Sequence, residues 1–191
     1  MYCNKNYYYI PMMFTEAQVD LRNHIRMLWE QHGVWTRSAI TSLVFDLPNV
    51  EFVIARLLRN PVDFEQALWP YYGERTASKF RDLLMEHLVV AADLVKAAKA
   101  GDNNAVEEAE RIWYANADAI AVFLGEINPY WSQEHWRMML YHHLALVKAE
   151  AVDMLAGNYQ TSVAVYDEIE IQALGMADVM ATGMIQQFYI F

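Results

Sequence analysis

The chain reads RMLWEQH at residues 26–32, RDLLMEH at 81–87 and RMMLYHH at 137–143. In each segment an arginine lies six residues before a histidine, with large apolar residues between them. The histidines are His32, His87 and His143, which are 55 and 56 residues apart. A recurring spacing of this size predicts tandem structural units.

The similarity extends beyond the three histidine segments. Residues 70–72 (PYY) precede the second segment and residues 129–131 (PYW) precede the third. Gly101 and Gly157 each follow their histidine by 14 residues. We therefore predict an N-terminal arm and a single domain of three units: arm 1–14, domain 15–191, with units at about 15–69, 70–128 and 129–191.

Each unit contains the residues that typically begin and end the helices of a helical hairpin. Thr15 opens a capping box with Gln18, Asn60 before Pro61 has the sequence of a helix cap, and residues 70–73 (PYYG) predict a break. With only 7 Gly and 5 Pro in 191 residues, long helices are favoured over strands. We predict an all-α, up-and-down helical bundle with a ferritin-like four-helix core and the segment 49–72 packed across it.

Composition excludes several classes of function. Hydrophobic residues make up 55% of the chain, enough for a substantial core, and the net charge is −10. An acidic chain is a poor ligand for nucleic acid or for anionic membranes, so we expect neither as a partner. No apolar run approaches about 18 residues, which argues against membrane insertion. Cys3 is the only cysteine, which fits a cytoplasmic location.

Polar side chains occupy positions where the helical period predicts an apolar core. On the first helix His32 shares a three/four-residue stripe with Ile25 and Leu28, and His87 and His143 occupy the matching positions of their helices. Asp178 lies on a stripe with Ile171, Leu174 and Ile185, so we expect it also to face inward. His24 and His135 lie near helix starts and His142 is one step off the core stripe, so we expect these three to face solvent.

Inward-facing imidazoles and carboxylates predict a metal ion or small-ligand site inside the bundle. Imidazole with carboxylate suits iron, manganese or zinc. The candidate metal ligands are His32, His87, His143, Asp178, Asp118 and Glu86, with Glu30 and Glu150 behind them. Neither Glu-x-x-His nor His-Glu-x-x-His occurs, and no complete catalytic signature is present.

A second interpretation needs no ligand. Each buried histidine could bond an Asp, Asn or Tyr on a neighbouring helix and so fix the register of the bundle. The protein would then be a structural or protein-interaction module, with a homodimer as one form. An organic ligand is a further alternative, and a redox or hydrolytic enzyme would require an open coordination position.

The sequence resembles a family of uncharacterised small all-helical proteins of bacilli and clostridia. The resemblance rests on residues 28–37, on the segment 56–64 (RLLRNPVDF), and on the short motifs at 116–118, 128–131 and 176–178. Some members are labelled acetylglutamate kinase, which the absence of glycine-rich phosphate loops contradicts here. The Glu-Gln-His and Glu-His elements are also similar to those of ferritin-like metal-binding bundles, a resemblance that implies a bound metal.

Overall fold

The computed structural model describes residues 14–191, and all regular structure in that range is α-helical. The helices are α1 (Glu16–Val44), α2 (Val50–Leu57), α3 (Asn60–Tyr72), α4 (Glu74–Ala100), α5 (Asn103–Ile127), α6 (Gln133–Leu155) and α7 (Tyr159–Phe188). The predicted arm, apart from Phe14, lies outside the described residues. Among these seven helices, none combines the length and hydropathy of a membrane span. The predicted all-α class is confirmed.

Several predicted helix ends are confirmed. The Thr15 side chain accepts a hydrogen bond from the backbone of Gln18, and the Gln18 side chain accepts from the backbone of Thr15. Ser132 caps α6 in the same way through the backbone N–H of His135. Gly101 ends α4 in the left-handed conformation, with φ 73°, which glycine adopts without a steric cost.

One predicted helix cap is wrong, because Asn60 does not cap a helix with its side chain. Arg59 already has helical dihedral angles, so Asn60 lies inside the first turn of α3 and its side chain is free for a tertiary contact. The predicted break at residues 70–73 is confirmed: Pro70 lies in the last turn of α3, which ends at Tyr72, and Gly73 separates it from α4.

The helices alternate in direction around a closed ring. Helices α4 to α7 each pack against the preceding helix, and α7 packs against α1. Gln18 at the start of α1 bonds Ile190 beyond the end of α7, whereas Arg37 late in α1 bonds Ser162 early in α7, so these two helices are antiparallel. It follows that α1, α4 and α6 run in one direction, and these three helices also contact one another.

The core differs from the expected four-helix arrangement because five helices of 23 to 30 residues contribute to it. The inner faces of α1, α4 and α6 meet, and α3, α5 and α7 cover them from outside. Gly183 permits one close approach, since a Cβ there would lie 2.0 Å from Nε1 of Trp131. Gly175, on the same helix, has no neighbour within 4 Å of such a Cβ.

Candidate functional site

The three histidines of the sequence pattern meet where α1, α4 and α6 converge. We call His32, His87 and His143 the histidine triad. Their exposed fractions are 2%, 3% and 2%, so the predicted burial is confirmed. The ring centre of His32 lies 5.7 Å from that of His143 and 6.3 Å from that of His87. His24, His135 and His142 are exposed, as expected.

Each ring of the triad is held by a side-chain amide from the outer helix that follows it. The distance from Nδ1 to the amide oxygen is 3.2 Å for His32 with Asn60 and 3.1 Å for His87 with Asn116. It is 2.9 Å for His143 with Gln172. The three amides lie 28, 29 and 29 residues after their histidines.

The same amides also bond the histidine helices. The amide nitrogens donate to the backbone carbonyl that lies four residues before each histidine. The bonds are Asn60 to Leu28 at 2.9 Å, Asn116 to Leu83 at 3.1 Å and Gln172 to Met139 at 2.9 Å. Because a carbonyl only accepts, each amide must present its nitrogen to the backbone and its oxygen to the imidazole.

This orientation decides the tautomer of every ring in the triad. An amide oxygen accepts a hydrogen bond, so Nδ1 carries the proton and Nε2 of a neutral imidazole keeps its lone pair. Burial, together with a smaller effect of neighbouring histidines, lowers the pKa of His32 and of His87 to about 3 and that of His143 to about 4. At neutral pH the triad is therefore uncharged, with Nε2 available as an acceptor or a metal ligand.

Tryptophans surround the triad. Trp29 lies 5.6 Å from the ring of His32 and Trp113 lies 5.4 Å from that of His87. Trp136 stacks on Trp29 at 6.4 Å. All three indole N–H groups and the hydroxyl of Thr36 are buried without a hydrogen-bond partner in residues 14–191. Buried polar groups are rarely unpaired, so this concentration of them around one centre requires an explanation.

A small cavity lies one helical turn beyond the triad. It has a volume of about 30 Å³, and its wall includes the residues four positions after each histidine, which are Thr36, Ala91 and Val147. Trp113 also contributes to the wall and so links the cavity to the ring of His87. The rest of the wall is mainly aliphatic.

The predicted carboxylate ligands do not reach the triad. Asp178 accepts hydrogen bonds from Arg22 and Arg26 at 2.7–3.0 Å, and its side chain is 35% exposed. Burial raises the pKa of Asp178, but these two arginines outweigh burial and hold it below its usual value. The predicted stripe was wrong because Ile171, which helped to define it, is 73% exposed.

The other acidic candidates are engaged elsewhere. Asp118 is half-buried and accepts from the hydroxyl of Tyr141 at 3.1 Å. Glu86 is exposed, although its Oε2 accepts from Asn116 at 3.0 Å. Burial and the neighbouring Glu170 raise the pKa of Glu30. Glu150 is 1% exposed and accepts from Arg37, and burial raises its pKa to about 6.

Sequence reasoning missed the amides as members of the site. Asn60 was assigned to a helix cap, and Gln172 was not singled out at all. Their constant distance of 28 or 29 residues from a histidine was a usable signal, but it becomes visible only once the partners are known. In residues 14–191, no group of three or more His, Cys, Asp or Glu side chains already has the arrangement of a metal-ligand cluster.

Comparisons with family models, with curated proteins and with solved structures found no match to this chain.

Proposed function

We propose that the protein binds one divalent transition metal ion between the Nε2 atoms of His32, His87 and His143. The observation that carries the proposal is the shared tautomer of the triad. Three separate amides direct the proton to Nδ1, which leaves Nε2 of each of the three buried rings unprotonated.

The two ring spacings that involve His32 are close to those that such an ion requires. Two imidazoles on one zinc ion, with nitrogen–metal distances of about 2.0–2.1 Å, have ring centres roughly 5 Å apart at tetrahedral angles. The distances of 5.7 and 6.3 Å between ring centres exceed this value by about 1 Å. Small rotations of the imidazoles supply a change of that size, because Nε2 is the atom farthest from the backbone.

The ligand chemistry narrows the choice among iron, manganese and zinc. Neutral imidazole suits zinc and iron, whereas manganese prefers carboxylate and water oxygen. Asp178 and Asp118 are paired away from the triad. Glu86 bonds Asn116, the amide partner of His87, and no carboxylate bonds an imidazole of the triad. We therefore favour a single zinc or ferrous ion over the carboxylate-rich pair of ions that a ferritin-like bundle would hold.

The equivalence of the three histidines supports descent from one hairpin. Each histidine, its amide and the carbonyl four residues earlier make the same two hydrogen bonds. We infer three tandem copies of a helical hairpin, with α2 and α3 together replacing the second helix of the first copy. A single metal site then forms on the axis that the copies share.

Metal analysis of matched histidine variants tests the proposal. Protein expressed in medium with zinc and iron should contain about one equivalent of metal, and removal of the metal should lower the melting temperature. His143→Gln should retain less than about a tenth of an equivalent, because it removes one ligand. The exposed neighbour His142 provides the control, since His142→Gln should bind like the unaltered protein. Equal metal contents in the two variants, or none in the unaltered protein, would disprove the site.

A structural network without a ligand is the second candidate. It is favoured by the completeness of the amide contacts, which satisfy Nδ1 of every ring. This candidate predicts that metal salts and chelators leave the melting temperature unchanged. It also allows the homodimer considered from the sequence, which light scattering would detect. The net charge of −10 supports the further proposal that nucleic acid is not a partner.

A further inference from the structure

The outer face of α6 carries an uncharged stripe with the spacing of a coiled coil. Its members are alternately three and four residues apart, and we call them the α6 stripe: His135, Met138, His142, Ala145, Ala149 and Val152. All are exposed except Ala149, which is half-buried, and Met138 and Val152 are 56% and 51% exposed. Such a spacing keeps one side of a helix in contact with a neighbouring helix over its whole length.

The equivalent stripes of the other two histidine helices differ from that of α6. At the same distances from His87, α4 carries five charged residues among six positions, namely Lys79, Asp82, Glu86, Val89, Asp93 and Lys96. The six positions of α1 are uncharged, but Gln31, Ser38 and Thr41 are half-buried there, and Gln31 accepts a hydrogen bond from Arg56 of α2. Among the three, α6 alone presents an uncharged stripe that is mostly exposed, which is typical of the centre of a protein interface.

The order of large and small side chains makes the α6 stripe complementary to itself in the antiparallel direction. With Ala145 on a twofold axis, Met138 meets Val152 of the partner subunit. His142 then meets Ala149 of the partner subunit, so a larger side chain faces a smaller one at each level. A parallel pair would place each histidine against its own copy and each alanine against an alanine, which produces steric clashes at one level and gaps at another.

Charge and area also favour a second copy as the occupant. Two chains that each carry a net charge of −10 repel each other, so self-association requires a face without charges. Beside the stripe, a groove of about 450 Å³ lies between α6 and α7, where a Cβ at Gly175 would have no neighbour within 4 Å. Two helices roughly 10 Å apart and about 35 Å long present about 700 Å² per copy, near the roughly 800 Å² of a standard interface.

We propose that the protein forms a twofold-symmetric homodimer in which the α6 stripe packs antiparallel against the α6 stripe of a second copy. Ile171 of α7, which is 73% exposed, extends the apolar contact along one edge. This inference goes beyond the proposed metal site and does not depend on it, because His143 lies on the buried side of α6.

Sedimentation of matched charge variants tests the interface. The unaltered protein should have twice the chain mass of 22.2 kDa and associate more strongly as salt rises, because salt screens the repulsion between the acidic chains. Ala145→Glu places two like charges together on the axis and should weaken association by at least about tenfold. The control is Val89→Glu, which adds the same charge at the equivalent exposed position of α4 and should leave the mass unchanged.

A pair of opposite charges tests the direction of packing. Met138→Glu should weaken association, and the addition of Val152→Lys should restore most of it, because the two new charges meet across an antiparallel seam. Within one chain these positions are about 21 Å apart along α6 and cannot pair. Each variant should keep the helical circular dichroism of the unaltered protein, since the altered positions are exposed.

Three outcomes would overturn the proposal. The first is a strict monomer at every protein and salt concentration. The second is a dimer that persists unchanged in Ala145→Glu. The third is a loss of association in Met138→Glu that Val152→Lys does not reverse, which would exclude the antiparallel arrangement.

Discussion

Polar side chains are accommodated in opposite ways in the histidine triad and in the ion-paired cluster of Asp178, Arg22 and Arg26, which we call the Asp178 cluster. The triad is almost fully buried and uncharged, and each ring is matched to a neutral amide. Asp178 on α7 keeps its charge, pairs with Arg22 and Arg26 of α1, and remains 35% exposed. The comparison shows two ways to meet the cost of burying polar groups: the triad is held neutral, and the carboxylate of Asp178 stays within reach of water beside two arginines. Glu150 is the buried exception, and its charge is paired with Arg37.

The largest difference between the two clusters should appear in how the free energy of unfolding changes with acid. An unfolded histidine binds a proton below about pH 6.5, whereas the folded triad does so only near pH 3 to 4. The unfolded state therefore binds more protons in that window, and stability falls as the pH falls. Each histidine contributes about 1.4 kcal/mol per pH unit, so the triad contributes up to about 4 kcal/mol per pH unit. Urea unfolding of metal-free protein at a series of pH values measures this slope.

The ionic cluster should respond in a different pH range. The pKa of Asp178 is lower in the folded protein than its reference value of 3.8, so its contribution is present above that pH and is lost as the pH falls through the folded pKa. Asp178→Asn should accordingly leave the slope above pH 3.8 unchanged.

An unfolding free energy that stays constant as the pH falls below 6.5 would contradict the prediction that the triad is buried and neutral.

Removal of one amide should have the next largest effect. Asn116→Ala leaves Nδ1–H of His87 buried without its acceptor, and we expect a loss of about 2–3 kcal/mol in the free energy of unfolding. Asn104→Ala, on the exposed surface of the same helix, should change the free energy by less than about 0.5 kcal/mol. Chemical denaturation of the two variants gives the comparison, and equal values would mean that the amide does not support the ring.

The smallest effect is expected at the ionic cluster. Asp178→Asn removes a charge that pairs with two arginines on a partly exposed surface. Such pairs contribute about 0–1 kcal/mol because water and salt screen them. We expect a loss within that range at pH 7, which shrinks further at high salt. A loss as large as that of Asn116→Ala would remove the distinction between the two clusters.

Sequence alone was sufficient for the part of the site that follows one helical period. His32 and His87 lie on apolar stripes of helices with a distinct polar face. The outer side of α6 carries the exposed Met138, Tyr141 and Val152, so the repeat spacing helped to assign His143. The apolar residues of α7 surround most of the helix, and Ile171 is exposed while Met176 and Met180 are buried. The period therefore did not define a single inward face, and Asp178 was assigned to the wrong one.

The remaining features depend on tertiary contacts that no local pattern encodes. Asn60 precedes a proline, as a capping residue often does, but the helical conformation of Arg59 places it inside the first turn. Its contact with His32 joins residues 28 positions apart. The unpartnered groups of Thr36 and Trp113 are recognisable only when every neighbour is known, since composition contains no information on whether a buried donor is satisfied.

The distribution of the triad over three helices that are far apart in the chain has a consequence for synthesis on the ribosome. Each third of the chain supplies one imidazole, so the triad cannot exist until residue 143 has emerged and α6 has docked. The amide that orients the last ring comes later still, at Gln172 on α7. A nascent chain that stalls before Gln172 carries at most two complete histidine–amide pairs. A ligand that needs all three pairs would therefore bind finished molecules in preference to truncated ones.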